Sequence, residues 1–128
     1  MEAKTILVIE DNDMNMELMR AFLQIGNYRM LEAREAETGI HLTREHRPDL
    51  ILMDIQLPGM DGLSATRIIR EDPDLKNIPI VAMTGLAMHE DVEKGMKLGF
   101  SGYIVKPCGI KVVLETIAKC LDGHCPEK

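Results

Sequence analysis

The stretch Leu50-Ile-Leu-Met-Asp-Ile-Gln-Leu-Pro-Gly-Met-Asp-Gly62 decides the fold. Four apolar residues, Leu50 to Met53, are too few for a helix of ordinary length. They suit a strand buried on both faces, as in a parallel sheet. Asp54 then stands where the strand leaves the core, and Pro58-Gly59 turns the chain toward the next element. An acid there is either a cap for the following helix or a chemical group held on a rigid support.

The flanking sequence repeats the pattern. Thr5-Ile-Leu-Val-Ile-Glu10 is another β-branched apolar run. Asp11-Asn12-Asp13 supplies candidate helix caps, and Met14, Leu18, Phe22 and Ile25 follow at helical spacing with Gly26 as C-cap. Tyr28 to Ala33 reads as a weaker strand whose charges suit a sheet edge. Glu35 to His46 reads as a helix ended by Pro48, and Leu63 to Glu71 as another. Ile78-Pro-Ile-Val-Ala-Met83 is the fourth strand, with its proline near the start, where it is tolerated. Met88, Val92 and Met96 mark a fourth helix closed by Gly99. Gly102 to Val105 is the fifth strand, and Val113, Leu114, Ile117 and Leu121 give the last helix a core face. Five strands alternating with five helices predict an α/β fold, a doubly wound parallel sheet, with no repeat or second domain.

Composition narrows the function. A 128-residue chain with 45% hydrophobic and 28% charged residues can bury a real core. A formal charge of −6 disfavours nucleic acid and anionic membranes as partners. No apolar run has membrane-span length, and the N-terminus enters a strand directly, which leads us to expect a cytoplasmic protein. Cys108, Cys120 and Cys125 have no metal-ligand spacing and read as reduced thiols. His41, His46, His89 and His124 follow no catalytic or metal spacing and read as surface groups. Ten methionines beside two Phe, two Tyr and no Trp predict a core of flexible aliphatics.

In doubly wound sheets, ligands bind outside the carboxyl ends of the strands. Those ends carry Glu10 and Asp11, Asp54, Thr84 and Lys106. Clustered carboxylates repel, and a hard divalent cation relieves the repulsion. Mg²⁺ takes a few carboxylates and keeps its other sites for water and phosphate. Lys106 can hold a phosphoryl oxygen, or pair with Asp54 when phosphate is absent. Thr84 can donate to the same group. An aspartate nucleophile beside Mg²⁺, Lys and Thr suits the making and holding of an acyl phosphate. The bland rival, that Asp11 and Asp13 only cap a helix, is the better reading for each alone. Glu10 at the same strand end, opposite Asp54 and Lys106, reverses that preference. Asp61 and Gly62 read as turn chemistry.

Ile9-Glu-Asp-Asn-Asp13, Met53-Asp-Ile-Gln-Leu-Pro-Gly-Met-Asp-Gly62, Met83-Thr84 and Lys106-Pro107 resemble the motifs of bacterial two-component response-regulator receiver domains. The pattern is most similar to single-domain regulators of the DivK type and to hybrid-kinase receivers. The resemblance spans nearly the whole chain: residues 1–122 as the receiver and 123–128 as a short polar tail. It implies a five-stranded (βα)5 flavodoxin-like fold with strand order 2-1-3-4-5. It further implies Asp54 as phosphoacceptor, and Mg²⁺ held by Glu10, Asp11, Asp54 and the Gln56 backbone carbonyl. Thr84 and Lys106 would bind the phosphoryl group, Thr84 and Tyr103 would form the switch, and the bond before Pro107 would be cis. A half-buried ring serving the core is nearly as good a reading of Tyr103.

The implied partners are a sensor histidine kinase or histidine phosphotransfer protein as donor and a downstream protein on the face of helix four, strand five and helix five. The chain itself would be a monomer or weak homodimer that turns over no separate substrate. Gly85 stands where alanine is common, leaving space for phosphate, and Leu86 brings no group to orient a water, which implies slow dephosphorylation. A phosphorylation-independent scaffold is one alternative. A haloacid-dehalogenase-like phosphohydrolase is another, weakened because Gln56 stands where that family needs a second Asp.

Overall fold

The computed structural model describes residues 3–55, 57, 59–60, 62–85, 93, 96–97, 99–106 and 109–122. Five parallel strands, β1 (Thr5–Ile9), β2 (Arg29–Ala33), β3 (Leu50–Asp54), β4 (Ile80–Thr84) and β5 (Gly102–Val105), form one sheet in the order β2-β1-β3-β4-β5. Helices α1 (Asp13–Ile25), α2 (Ala36–His46) and α3 (Gly62–Glu71) and a C-terminal helix (Ile110–Leu121) cover its faces. This is the doubly wound fold and strand order expected. Of the fourth expected helix, Met88 and Val92 lie outside the described residues; Glu93, Met96 and Lys97 are helical.

Strand alternation splits the interior in two. Leu7, Ile9, Ile51, Met53, Ile80 and Ala82 face one core with residues of α2 and α3. Ile6, Val8, Leu50, Leu52, Val81 and Met83 face the other, with residues of α1 and the C-terminal helix. β3 is buried along its whole length, which is why its sequence is a continuous apolar run. β2 is half-exposed, as an edge strand with charges should be. β4 starts two residues later than expected, at Ile80, because Pro79 has no N–H for the ladder and only lends its carbonyl to Ile51 N at 2.9 Å.

One helix turns a different face inward than the spacing implied. On α1, Met16, Met19 and Leu23 are buried, while Met14 (72% exposed), Leu18 (44%) and Ile25 (66%) face solvent. Phe22 lies at the margin of the core. The helix carries two apolar stripes, and periodicity alone does not say which meets the sheet. On the C-terminal helix, Val113 and Ile117 are buried as expected and Leu121 packs partly buried against the same core, with Thr116 and Cys120 buried beside them and Leu114 only partly covered. Cys120 is a buried thiol; Cys108, Cys125 and the tail lie outside the described residues.

Candidate functional site

The strands end nearly level, so the residues just past them converge. Ile9 is in register with Ala33 and Met53, Asp54 with Met83, and Thr84 with Val105. Main-chain bonds carry the ladder just past the ends: Glu10 N–H to Ala33 O at 2.9 Å, Ile55 N–H to Met83 O at 3.0 Å, and Lys106 N–H to Thr84 O at 2.7 Å. Glu10, Asp11, Asp54, Thr84 and Lys106 therefore stand on one rigid edge.

Their side chains form a charged cluster. Lys106 Nζ donates to Glu10 Oε1 at 2.6 Å and to Asp54 Oδ2 at 2.8 Å. Glu10 is fully buried, and Asp54 and Thr84 nearly so. Glu10 Oε2 accepts the Asn12 N–H at 3.3 Å, so both of its oxygens are engaged. Carboxylate oxygens of Glu10, Asp11 and Asp54 all lie within 4.8 Å of one another. Burial, and then the neighbouring Asp54, raise the Glu10 pKa above the usual carboxylate range, although Lys106 opposes them. Burial works against the Lys106 charge, yet hydrogen bonds to Asp54 and Glu10 outweigh it and raise the ammonium pKa.

The capping rival for Asp11 and Asp13 loses its role. Asn12 is the N-cap of α1, its side chain accepting the Asn15 N–H at 3.0 Å. Asp13 pairs with Arg34, and exposed Asp11 turns to the acidic cluster. Tyr103 is half-buried, packed against the core of α2 and α3. Gln56, Asp61, Leu86 and Pro107 lie outside the described residues. Exposed His41 and His46 fit the surface reading.

Gly62 does more than turn the chain. It is the first residue of α3, and a Cβ on it would stand 2.8 Å from the Asp54 carbonyl oxygen and 2.9 Å from Ile55 Cα. The helix can abut the backbone of Asp54 only because that side chain is missing. Spacing could not reveal this, since an Asp-Gly pair reads as a turn in any fold.

An all-oxygen set of three converging carboxylates fits a hard divalent cation. The parallel doubly wound sheet, with such an acidic pocket and a lysine across it, is the architecture expected of a receiver domain. The sequence matches the response regulator receiver domain over residues 6–118, and the chain belongs to that family. It works in phosphorylation-based signalling. The polar-differentiation response regulator DivK of Brucella anthropi is 41% identical over 118 residues, 92% of this chain and 96% of the relative. The receiver domain of a sensor histidine kinase from Pseudomonas aeruginosa superposes with a TM-score of 0.85 at 33% identity, over 95% of this chain and 99% of the other. That domain was solved with a magnesium ion coordinated in its active site cleft. The receiver domain of a histidine kinase from Syntrophus aciditrophicus gives a TM-score of 0.87 at 29% identity, over 98% and 96%. No helix among the described residues is long and apolar enough to cross a membrane.

Proposed function

We propose that Asp54 is the phosphoacceptor. The observation that carries this is the bridging of Glu10 and Asp54 by Lys106, with Asp11 completing a pocket of three carboxylates. An Asp54 oxygen attacks the phosphorus of a phosphohistidine on a sensor kinase or phosphotransfer protein. The P–O bond forms as the P–N bond breaks, and the donor imidazole leaves with the electron pair. Attack by water later returns carboxylate and inorganic phosphate. Glu10, Asp11, Asp54 and the Gln56 carbonyl would hold Mg²⁺, which when bound offsets the carboxylate repulsion and polarises the phosphoryl oxygens.

Lys106 leaves its carboxylate partners for a phosphoryl oxygen, as a flexible ammonium can. Thr84, nearly buried at the end of β4, donates to the same group. Tyr103, one strand over in register with Ala82, repacks as Thr84 moves, and the face of helix four, β5 and the C-terminal helix changes for a downstream protein.

The test is incubation with acetyl phosphate and Mg²⁺ followed by intact mass. One hydroxylamine-labile adduct is expected on the native chain, absent from Asp54→Asn and after EDTA. An adduct that survives Asp54→Asn, or that ignores EDTA, sinks the assignment. Absence of any adduct, also with a phosphorylated kinase as donor, would leave the scaffold reading.

A further inference from the structure

Arg70, in the last turn of α3, makes four hydrogen bonds among the described residues, each to a main-chain carbonyl. Nε and Nη2 donate to the Gly99 oxygen at 2.9 and 2.7 Å, and Nη1 donates to Lys76 O at 2.8 Å and Ile78 O at 2.7 Å. The aliphatic stem lies on Gly99, which holds φ +126°; a Cβ there would fall 2.7 Å from Arg70 Cγ and 2.8 Å from Cδ. Side chain and glycine fill each other's space, so neither moves alone.

The other end of α3 is equally tight. Gly62 abuts the Asp54 carbonyl, and its N–H donates to Ile55 O at 3.0 Å. Between the two grips run ten residues of helix, about 15 Å at the usual rise, with Ala65 and Ile69 fully buried. One end of the helix rests on the backbone of Asp54. The other holds the turns from which β4 and β5 start. Ile78 leads through Pro79 into β4, and Gly99 leads into Ser101, whose N–H donates to Ile80 O at 2.7 Å and whose Oγ accepts the Ile80 N–H at 3.2 Å. Those two strands deliver Thr84, Tyr103 and Lys106 to the site.

We propose that Arg70 makes α3 a strut that couples the state of Asp54 to the Gly99–Ser101 turn at the far edge of the sheet. The proposal rests on the reading of Asp54 as phosphoacceptor. A phosphoryl group on Asp54 loads the turn into α3; a short helix gripped at both ends passes the displacement on. Arginine suits the far grip because its planar fork serves several carbonyls at once, where lysine reaches one or two. Among the described residues, Arg70 hydrogen-bonds to Gly99, Lys76 and Ile78 and to no site residue, so it is a positioning residue.

Amide hydrogen exchange read by mass spectrometry tests this on the whole chain, with acetyl phosphate and Mg²⁺ as input and intact mass reporting the adduct. Phosphorylation of the native chain is expected to change exchange at Gly99–Ser101 by at least about twofold. In Arg70→Met the adduct forms to the same extent and the response near Thr84 persists, but the response at Gly99–Ser101 vanishes. A merely structural role raises exchange in both states alike and keeps the difference between them; that outcome overturns the proposal. So does a native chain with no response at Gly99–Ser101. Arg70→Lys, with a reduced response expected, replaces the methionine variant if that variant does not fold. A native chain that takes no adduct overturns the phosphoacceptor reading instead, and the same comparison with Mg²⁺ alone as input then decides the strut.

Discussion

Two half-buried cations sit at opposite edges of one sheet and are held in opposite ways. Lys106 is shared between two carboxylates, while Arg70 donates to main-chain carbonyls with all four of its hydrogen bonds among the described residues. Burial works against both charges. At Arg70 it prevails and lowers the pKa, whereas at Lys106 the carboxylates reverse it. Carbonyl dipoles of packed backbone make a permanent anchor, because they neither titrate nor leave the chain segments that carry them. Carboxylates make an exchangeable one, since a metal ion can take the acids and a phosphoryl group can take the ammonium. The sheet thus has a fixed edge and a working edge, distinguished by what pairs with a positive charge.

The largest expected effect breaks the working edge. Lys106→Met removes the cation that pairs with both Glu10 and Asp54. Labelling by acetyl phosphate should slow by about 100-fold or more, the usual cost of one transition-state donor. Lys106→Arg should not restore it, because a rigid fork cannot swing from carboxylates to phosphate as a flexible ammonium does. Rates within about threefold of native would mean that Lys106 is a structural counterion and the comparison with Arg70 fails.

Gly62→Ala comes next. A methyl group 2.8 Å from the Asp54 carbonyl oxygen cannot be absorbed by a flexible side chain, since backbone lies on both sides of the contact. Denaturant titration should show a loss of about 1–3 kcal/mol, typical of overpacking. Labelling of Asp54 should fall as well, because the backbone that carries it is displaced. A destabilised variant with native labelling would detach α3 from the site and weaken the strut.

How much of this was legible beforehand depends on the kind of interaction involved. The converging Glu10, Asp11, Asp54, Thr84 and Lys106 rest on residues whose type, position and spacing are themselves the signal, whereas the strand order was implied only by the family resemblance. The burial of Met16, Met19 and Leu23 in place of Met14, Leu18 and Ile25 was not legible. Both stripes have helical spacing, and only docking against the sheet chooses between them. Arg70 gave no signal either: its partners are carbonyls, which every residue carries. Gly62 looked like a turn residue and Gly99 like a helix end, because spacing does not show that the Asp54 backbone lies against the one and the Arg70 side chain against the other. Side-chain chemistry can be read from sequence, and long-range backbone packing cannot.

Acid and Mg²⁺ sharpen the contrast further. With its pKa raised, Glu10 holds a proton in the folded state at pH values where the unfolded chain has lost it. Stability of the metal-free protein should therefore fall as pH rises through the window from the ordinary carboxylate value, about 4.3, to the raised one. Lys106, also raised, holds its proton longer when folded, so a second decline is expected above about 10.4. On the proposed reading of Glu10 as a Mg²⁺ ligand, the ion's stabilisation should shrink as protons compete for that carboxylate in acid. Urea titrations across pH with and without Mg²⁺ report all three. A Mg²⁺ effect that stays constant down to pH 4 would place the ion elsewhere.

The smallest effect expected is at Gly85, which follows Thr84 and invites the same substitution as Gly62 with the opposite outcome. A Cβ there meets nothing within 4 Å, and its φ is not left-handed. The space for phosphate expected of this glycine is therefore available to alanine too. What glycine adds is backbone freedom next to the hydroxyl that must move. Gly85→Ala should stabilise the fold by about 0.4–1 kcal/mol, chiefly by restricting the unfolded chain. Labelling at Asp54 should be preserved, and the change in Tyr103 environment on phosphorylation, read by NMR, should shrink if loop freedom serves the switch. A variant that gains stability while Tyr103 responds as before would show that Thr84 reaches the phosphoryl group without help from its neighbour. The working edge would then owe its mobility to Lys106 alone.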